Sequence, residues 1–157
     1  MTKRITLTLV LAAAALPAHP QNPRGEAKAA VSGKVVSIDY GRPSLQGRDM
    51  LAKAEIGQAW RMGADAATTL KTAADLDFGG KKVPKGDYTL TATKIEADKW
   101  VLNVAGKDAK IAEIPLTNGT SDAPVETFTI DLKCEKDKGE LLLSWGTLVL
   151  KTYFTGK

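Results

Sequence analysis

Rare residues exclude more here than common ones. The chain of 157 residues has one cysteine, one histidine and only 6% aromatic side chains. A single cysteine rules out an intramolecular disulfide. A lone histidine cannot build a His-rich zinc site, and it supports a Cys/His pair or a Ser-His-Asp relay only if it lies in the folded region. The Gly-rich phosphate loop ending in Lys-Ser or Lys-Thr is missing, as are the dinucleotide fingerprint, the His-Glu-x-x-His helix and the G-x-S-x-G elbow. No apolar run reaches the roughly 18 to 20 residues that a spanning helix needs. The composition, 43% hydrophobic and 25% charged, is too ordinary for a disordered or collagen-like chain.

What is present begins with an export pattern. Lys3 and Arg4 precede the 12-residue uncharged run Ile5–Leu16, and Pro17 and Ala18 follow. A basic head, a short apolar stretch and a small-residue exit predict a signal peptide over residues 1–18, cleaved after Ala18. No cysteine lies at the exit, which disfavours a lipid anchor. Cleavage removes two basic residues and lowers the net charge from +4 to +2. The expected location is therefore periplasmic or extracellular, with no membrane span after processing. The remaining lysines are interspersed with acids and form no stripe that tracks phosphates, so no nucleic-acid partner is expected. Residues 19–32, rich in Pro, Gly, Ala and charge, read as a flexible leader that carries the single His19 out of the chemistry.

From residue 33 onward the signal is period-two alternation, predicting one β-sandwich domain over residues 33–157. Val36, Ile38 and Tyr40 share a face. So do Tyr88, Leu90 and Ala92; Trp100, Leu102 and Val104; and Phe128, Ile130, Leu132 and Cys134. Gly79-Gly80, Pro84–Asp87, Asn118-Gly119 and Lys138-Gly139 read as turns, and Glu140–Trp145 with Thr147–Thr155 as a hairpin through Gly146. Asp49–Gln58 has a weak helical look. The expectation is all-β: an antiparallel sandwich, jelly-roll-like or barrel-like, of eight or nine strands with at most one short helix. Cys134 falls on an apolar face as a small buried hydrophobe. Asp75 and Asp77 beside a glycine turn supply too few ligands for calcium, so no metal and no cofactor is expected.

Two segments break the alternation with expensive residues. Tyr40–Arg48 ends a strand on an aromatic, turns at Gly41 and Pro43, and presents Arg42 and Arg48. Trp60–Thr69 sets Trp60, Arg61 and Asp65 around Gly63. Arg42, Arg48 and Arg61 are three of only five arginines in the chain. A guanidinium makes paired bonds to carboxylate or phosphate and stacks on aromatics, which an ammonium does not. One reading is a pocket in which Tyr40, Arg42, Arg48, Trp60, Arg61 and Asp65 hold a small anionic or carbohydrate-like ligand. The other is that these arginines brace loops through pairs with Asp39, Asp49 or Asp65.

These segments also carry a resemblance. Tyr40, Arg42, Pro43, Gly47 and Arg48, then Trp60, Arg61, Gly63, Ala64, Ala67, Thr68 and Thr69, then Pro84, Gly86, Tyr88 and Leu90, together with Leu143–Gly146, resemble a bacterial exported family known only as domain of unknown function family 2911. The resemblance spans Val31 to Lys157 and implies export and a β-rich fold, with no established activity. Family members often carry Asn-Glu after the W-R-x-G-A stretch, where this chain has Asp65-Ala66. Asp65 keeps hydrogen-bonding capacity but lacks the reach of a Glu.

The expected function is ligand binding or scaffolding in the cell envelope. The alternative is a histidine-independent hydrolase or lyase using Asp65 or Asp39 as base and an arginine as anion stabiliser. A third possibility, a purely structural interaction module, predicts an exposed apolar patch or an open sheet edge.

Overall fold

Alternating side chains account for most of the architecture in the computed structural model, which describes residues 21–157. The expected signal segment 1–18 and His19 lie outside the described residues. Ten strands follow one another: β1 (Arg24–Val31), β2 (Lys34–Gly41), β3 (Ala59–Trp60), β4 (Thr68–Thr72), β5 (Leu76–Phe78), β6 (Lys81–Val83), β7 (Gly86–Glu96), β8 (Lys99–Ala105), β9 (Lys110–Glu135) and β10 (Lys138–Gly156). They form one antiparallel sheet in the order β1-β2-β4-β7-β8-β9-β10-β5-β6, with β3 beside β7. The sheet does not close into a barrel.

Strand β9 divides this sheet into two halves. Its first part, through Leu116, pairs with β8, and its second part, from Thr117, pairs with β10. Inward residues of both halves meet in a single core: Ile38, Leu70, Leu90 and Leu102 from one side, Phe128, Leu141 and Leu143 from the other. Each such side chain contributes roughly 1.5–3 kcal/mol on burial, so this core dominates the stability of the fold. Tight two-residue turns close the hairpins. Ser32-Gly33 and Gly79-Gly80 all take positive φ, the conformation that matches the twist of flanking strands.

The all-β antiparallel class is as expected, and several details differ. No helix occurs among the described residues, and Asp49–Gln58 folds as successive turns. Its Met50 and Ala54 pack on the core while Asp49 accepts the Ala52 N–H at 3.0 Å. Arg24–Val31 is a strand where composition predicts a leader. Ala27 and Val31 face the core, but alanine gives too little hydrophobic contrast for the alternation to stand out. Glu140–Trp145 and Thr147–Thr155 belong to one strand, β10, because Gly146 (φ 59°) marks an irregularity in the ladder, not a turn. Asn118-Gly119 lies inside β9, opposite Leu150 and Val149. Strands β3, β5 and β6 have only two or three residues, too few to show a period, which raises the count above eight or nine.

The irregularity in the β9–β10 ladder positions everything that follows. Between Ser144 and Leu148 the pairing with β9 slips twice. Bulges of this kind re-aim side chains and free backbone groups for other partners. Here the free groups receive the chain leaving β2: Phe128 N–H donates to Pro43 O at 2.9 Å, and Leu45 N–H donates to Glu126 O at 3.0 Å. Ser44 forms a bridge with Thr127. From this anchor the chain runs as a loop to β3.

Candidate functional site

A cleft of about 520 Å³ opens where that loop, the segment Trp60–Asp65, β8 and β10 meet. Its volume falls within the roughly 300–1,000 Å³ usual for small-molecule sites. All three tryptophans of the chain line it: Trp60, Trp100 and Trp145. Each comes from a different strand. Trp60 sits opposite Ala92 of β7, Trp100 begins the buried face of β8, and Trp145 lies in the irregular stretch of β10.

The rings form a connected wall. Trp60 and Trp145 stack with centroids 5.9 Å apart and an 11° interplanar angle. Trp100 meets Trp60 edge-on at 6.3 Å, and Phe128 meets it edge-on at 5.0 Å. Trp60 is half-buried, whereas Trp100 and Trp145 are 3% and 8% exposed. The Trp145 N–H donates to Glu126 O at 3.3 Å. By contrast, the buried Trp100 Nε1–H has no acceptor among the described residues. An orphaned buried donor costs about 1–3 kcal/mol, so a fold tolerates one only where something offsets it.

The rim is charged. Arg48, Lys53 and Arg61 supply cations, and Glu55 and Asp65 supply carboxylates. The four ion pairs among the described residues, Arg24–Asp39, Lys82–Asp77, Lys99–Glu96 and Lys110–Glu113, include none of these. The two rim guanidiniums are instead oriented by neutral carbonyls. Arg48 donates from Nε to Leu45 O and from Nη2 to Ser44 O, both at 2.9 Å. Arg61 donates from Nη1 to Asp65 O at 2.9 Å. Carbonyl acceptors fix a guanidinium without cancelling its charge.

The segment Arg61–Asp65 is held in an uncommon shape. Met62 and Asp65 take φ of 56° and 61°, in the left-handed region that non-glycine residues rarely enter. Met62 is fully buried and plugs the segment into the core, while Thr68 Oγ1–H donates to Met62 O at 2.7 Å. Gly41 and Gly63 let two backbones touch: a Cβ on Gly63 would stand 2.7 Å from Gly41 O, and one on Gly41 would collide with Ala64 O. Asn22 completes the brace by donating N–H and Nδ2–H to Asp65 Oδ2 at 2.8 and 3.3 Å. Strain of this kind persists where surroundings over-determine it, and it clusters at sites.

Of the six residues expected at a pocket, the cleft gathers Arg48, Trp60, Arg61 and Asp65. Tyr40 and Arg42 are elsewhere. Tyr40 is 3% exposed, and its hydroxyl accepts the Ile130 N–H at 2.9 Å and donates to Ile130 O at 3.4 Å. It is no stacking wall. Arg42 donates from Nε to Phe128 O at 3.3 Å and from Nη2 to Thr129 Oγ1 at 3.1 Å. The bracing aspartates differ from expectation too: Asp39 pairs with Arg24, Asp49 caps its own turn and Asp65 receives Asn22. Sequence reasoning missed Trp100 and Trp145 as cleft residues because on their strands they look like ordinary core positions. Their rarity was the usable signal. Among the described residues no group of three or more His, Cys, Asp or Glu side chains is arranged to hold a metal ion.

A ten-stranded antiparallel sheet folded over one core, with an aromatic cleft beside its central irregularity, defines the class of protein. Residues 22–154 match the family described as "Protein of unknown function (DUF2911)", and the chain belongs to that family. No curated protein and no solved structure matches it.

Proposed function

We propose that this chain is an exported binding protein whose cleft takes a small anionic or carbohydrate-like ligand. The observation that carries the reading is the coincidence of all three tryptophans with Arg48 and Arg61 around one volume of about 520 Å³. Flat indole faces accept a ring, and fixed guanidiniums with uncancelled charge attract an acid group. The export half of the proposal rests on the sequence pattern of residues 1–18.

The test is a thermal-shift and tryptophan-fluorescence screen of neutral hexoses, hexuronates, sugar phosphates and aryl carboxylates. A ligand that binds only the folded state raises Tm with concentration. At least one of these classes should do so and should quench the tryptophans, and Arg48→Gln combined with Arg61→Gln should weaken any acidic ligand at least tenfold. No response from any class at about 10 mM, the weak end of specific affinity, discards the reading.

A catalytic reading draws on one feature, the Asp65 carboxylate on the cleft wall four residues from Arg61. Asp39, the other candidate base, is committed to Arg24. Turnover that disappears in Asp65→Asn while ligand binding survives would favour this second reading over binding alone.

A further inference from the structure

We infer that the cleft selects a ring-bearing carboxylic acid that also carries hydroxyl groups, of which a hexuronate is the simplest. This rests on the binding reading above and narrows it by counting which hydrogen-bonding edges remain open. Arg48 spends its Nε–Nη2 edge on two carbonyls. Arg61 spends only Nη1, so its Nε–Nη2 edge makes no bond among the described residues. That edge is the fork that receives a carboxylate through two parallel hydrogen bonds. Arg61 keeps the side-on fork for one planar acid group, and Arg48, with its side-on edge spent, adds charge and an end-on Nη1–Nη2 edge.

The neighbouring residue sets what the acid is attached to. Trp60 ends β3, is half-buried and lines the same cleft as Arg61, so a ring lying against the indole shares that cleft with the guanidinium. A sugar and an aromatic ring satisfy this equally well. The Trp100 N–H separates them. It is the one buried side-chain polar atom without a partner among the described residues, and its residue lines the same cleft. A hydroxylated ring brings an acceptor oxygen to the apolar floor, whereas benzoate or cyclohexanecarboxylate brings none once its carboxylate is held at the rim. Because the N–H is shielded from solvent in this arrangement, the ligand hydroxyl reaches it only as the wall of the cleft around Trp100 shifts.

The experiment is calorimetric titration of the wild-type chain with glucuronate, glucose and cyclohexanecarboxylate, repeated on Arg61→Gln and Arg61→Lys. Glucuronate should bind at least ten times more tightly than either of the others, which lack the acid or the hydroxyls. Both variants should lose at least tenfold for glucuronate and leave glucose unchanged, since lysine keeps the charge but not the fork. Arg61 is exposed, so both variants should fold. In parallel, the three indole N–H signals of the wild type are followed by NMR, which avoids a Trp100 variant that fails to fold. The Trp100 signal should shift with glucuronate and stay in place with cyclohexanecarboxylate. Equal or tighter binding of cyclohexanecarboxylate, or an unmoved Trp100 signal at saturation with glucuronate, overturns the inference while leaving the cleft a binding site. Failure of all three probes overturns the inference, and silence of the wider screen as well would remove the binding reading beneath it.

Discussion

Arg42 and Arg61 lie in neighbouring irregular segments and carry the same side chain, yet they do opposite work. The acceptors of Arg42 are 86 and 87 residues away, on β9. Those of Arg48 are three and four residues away, and that of Arg61 is four. Distant acceptors fasten one element to another and hold the Arg42 guanidinium half-buried against β9. Local acceptors orient the guanidinium and leave its charge to face outward. Tyr40 and Trp60 repeat the contrast: the phenol is spent on the Ile130 backbone, while the indole stays half-buried at the cleft. One end of the irregular region is a fastening and the other is a surface, and the range of the hydrogen bonds tells them apart.

Phe128 belongs to both, and its loss is the largest effect expected. Its ring is fully buried, edge-on to Tyr40 at 5.5 Å, to Trp60 at 5.0 Å and to Trp145 at 5.8 Å. Phe128→Ala should lower unfolding free energy by about 3–5 kcal/mol, measured by urea denaturation, and should change the tryptophan emission of the folded state. A loss below about 1 kcal/mol would mean that the two regions do not depend on a shared ring.

Gly41→Ala comes next, at about 1–3 kcal/mol, because its new Cβ collides with Ala64 O in the segment that carries Arg61 and Asp65. It should weaken any cleft ligand as well as the fold. Gly33→Ala makes a useful contrast: its Cβ meets nothing within 4 Å, and only its φ of +73° opposes the change. That substitution should reduce stability without touching ligand affinity. Equal effects on affinity would refute the idea that Gly41 positions the cleft.

The direct test of the comparison pairs Tyr40→Phe with Arg61→Gln. Removing the Tyr40 hydroxyl leaves the buried Ile130 N–H without its acceptor, at a cost of about 1–3 kcal/mol. Arg61 is exposed and ties down only its own turn, so Arg61→Gln should stay within about 0.5 kcal/mol of the wild type. A reversed ranking would show that Arg61 fastens and Tyr40 does not.

How far these roles can be read from the sequence follows from the same distinction. Alternation in Val36–Tyr40, Tyr88–Ala92 and Phe128–Cys134 exposes the strands because each position reports its own face. Arg24–Val31 hides its period behind alanines, and Gly146 looks like a turn because a glycine that permits a bulge and one that permits a hairpin read alike. Both irregular segments are visible as departures from the pattern, and the four cleft residues Arg48, Trp60, Arg61 and Asp65 are among them. The sorting of Tyr40 and Arg42 away from that group depends on the slip in the β9–β10 ladder, which brings Phe128 and Thr129 under Arg42. No local pattern encodes a pairing across 86 residues.

The smallest effect expected is electrostatic, and it sharpens what local partners do. Asp77, at the β5–β6 hairpin, also bonds locally, to Lys82 and to the Gly80 N–H at 2.6 Å. Its partner is a cation, however, so its charge is cancelled where that of Arg61 is not. The Lys82 hydrogen bond, followed by the Gly80 N–H, holds the carboxyl below its ordinary range. A carboxylate with a depressed folded-state value binds its proton more weakly folded than unfolded. Its contribution is therefore present above the unfolded value and is lost as pH falls through the folded one. The carboxylate is in contact with solvent, its side chain 32% exposed, so the contribution is small. Asp77→Asn should be slightly less stable than the wild type at pH 7, and the gap should close in acid, once the pH lies below the ordinary carboxylate range. A gap of the same size at both pH values would mean that the side chain acts through its turn geometry alone. The contrast between a cancelled local charge at Asp77 and an uncancelled one at Arg61 would then lose its electrostatic half.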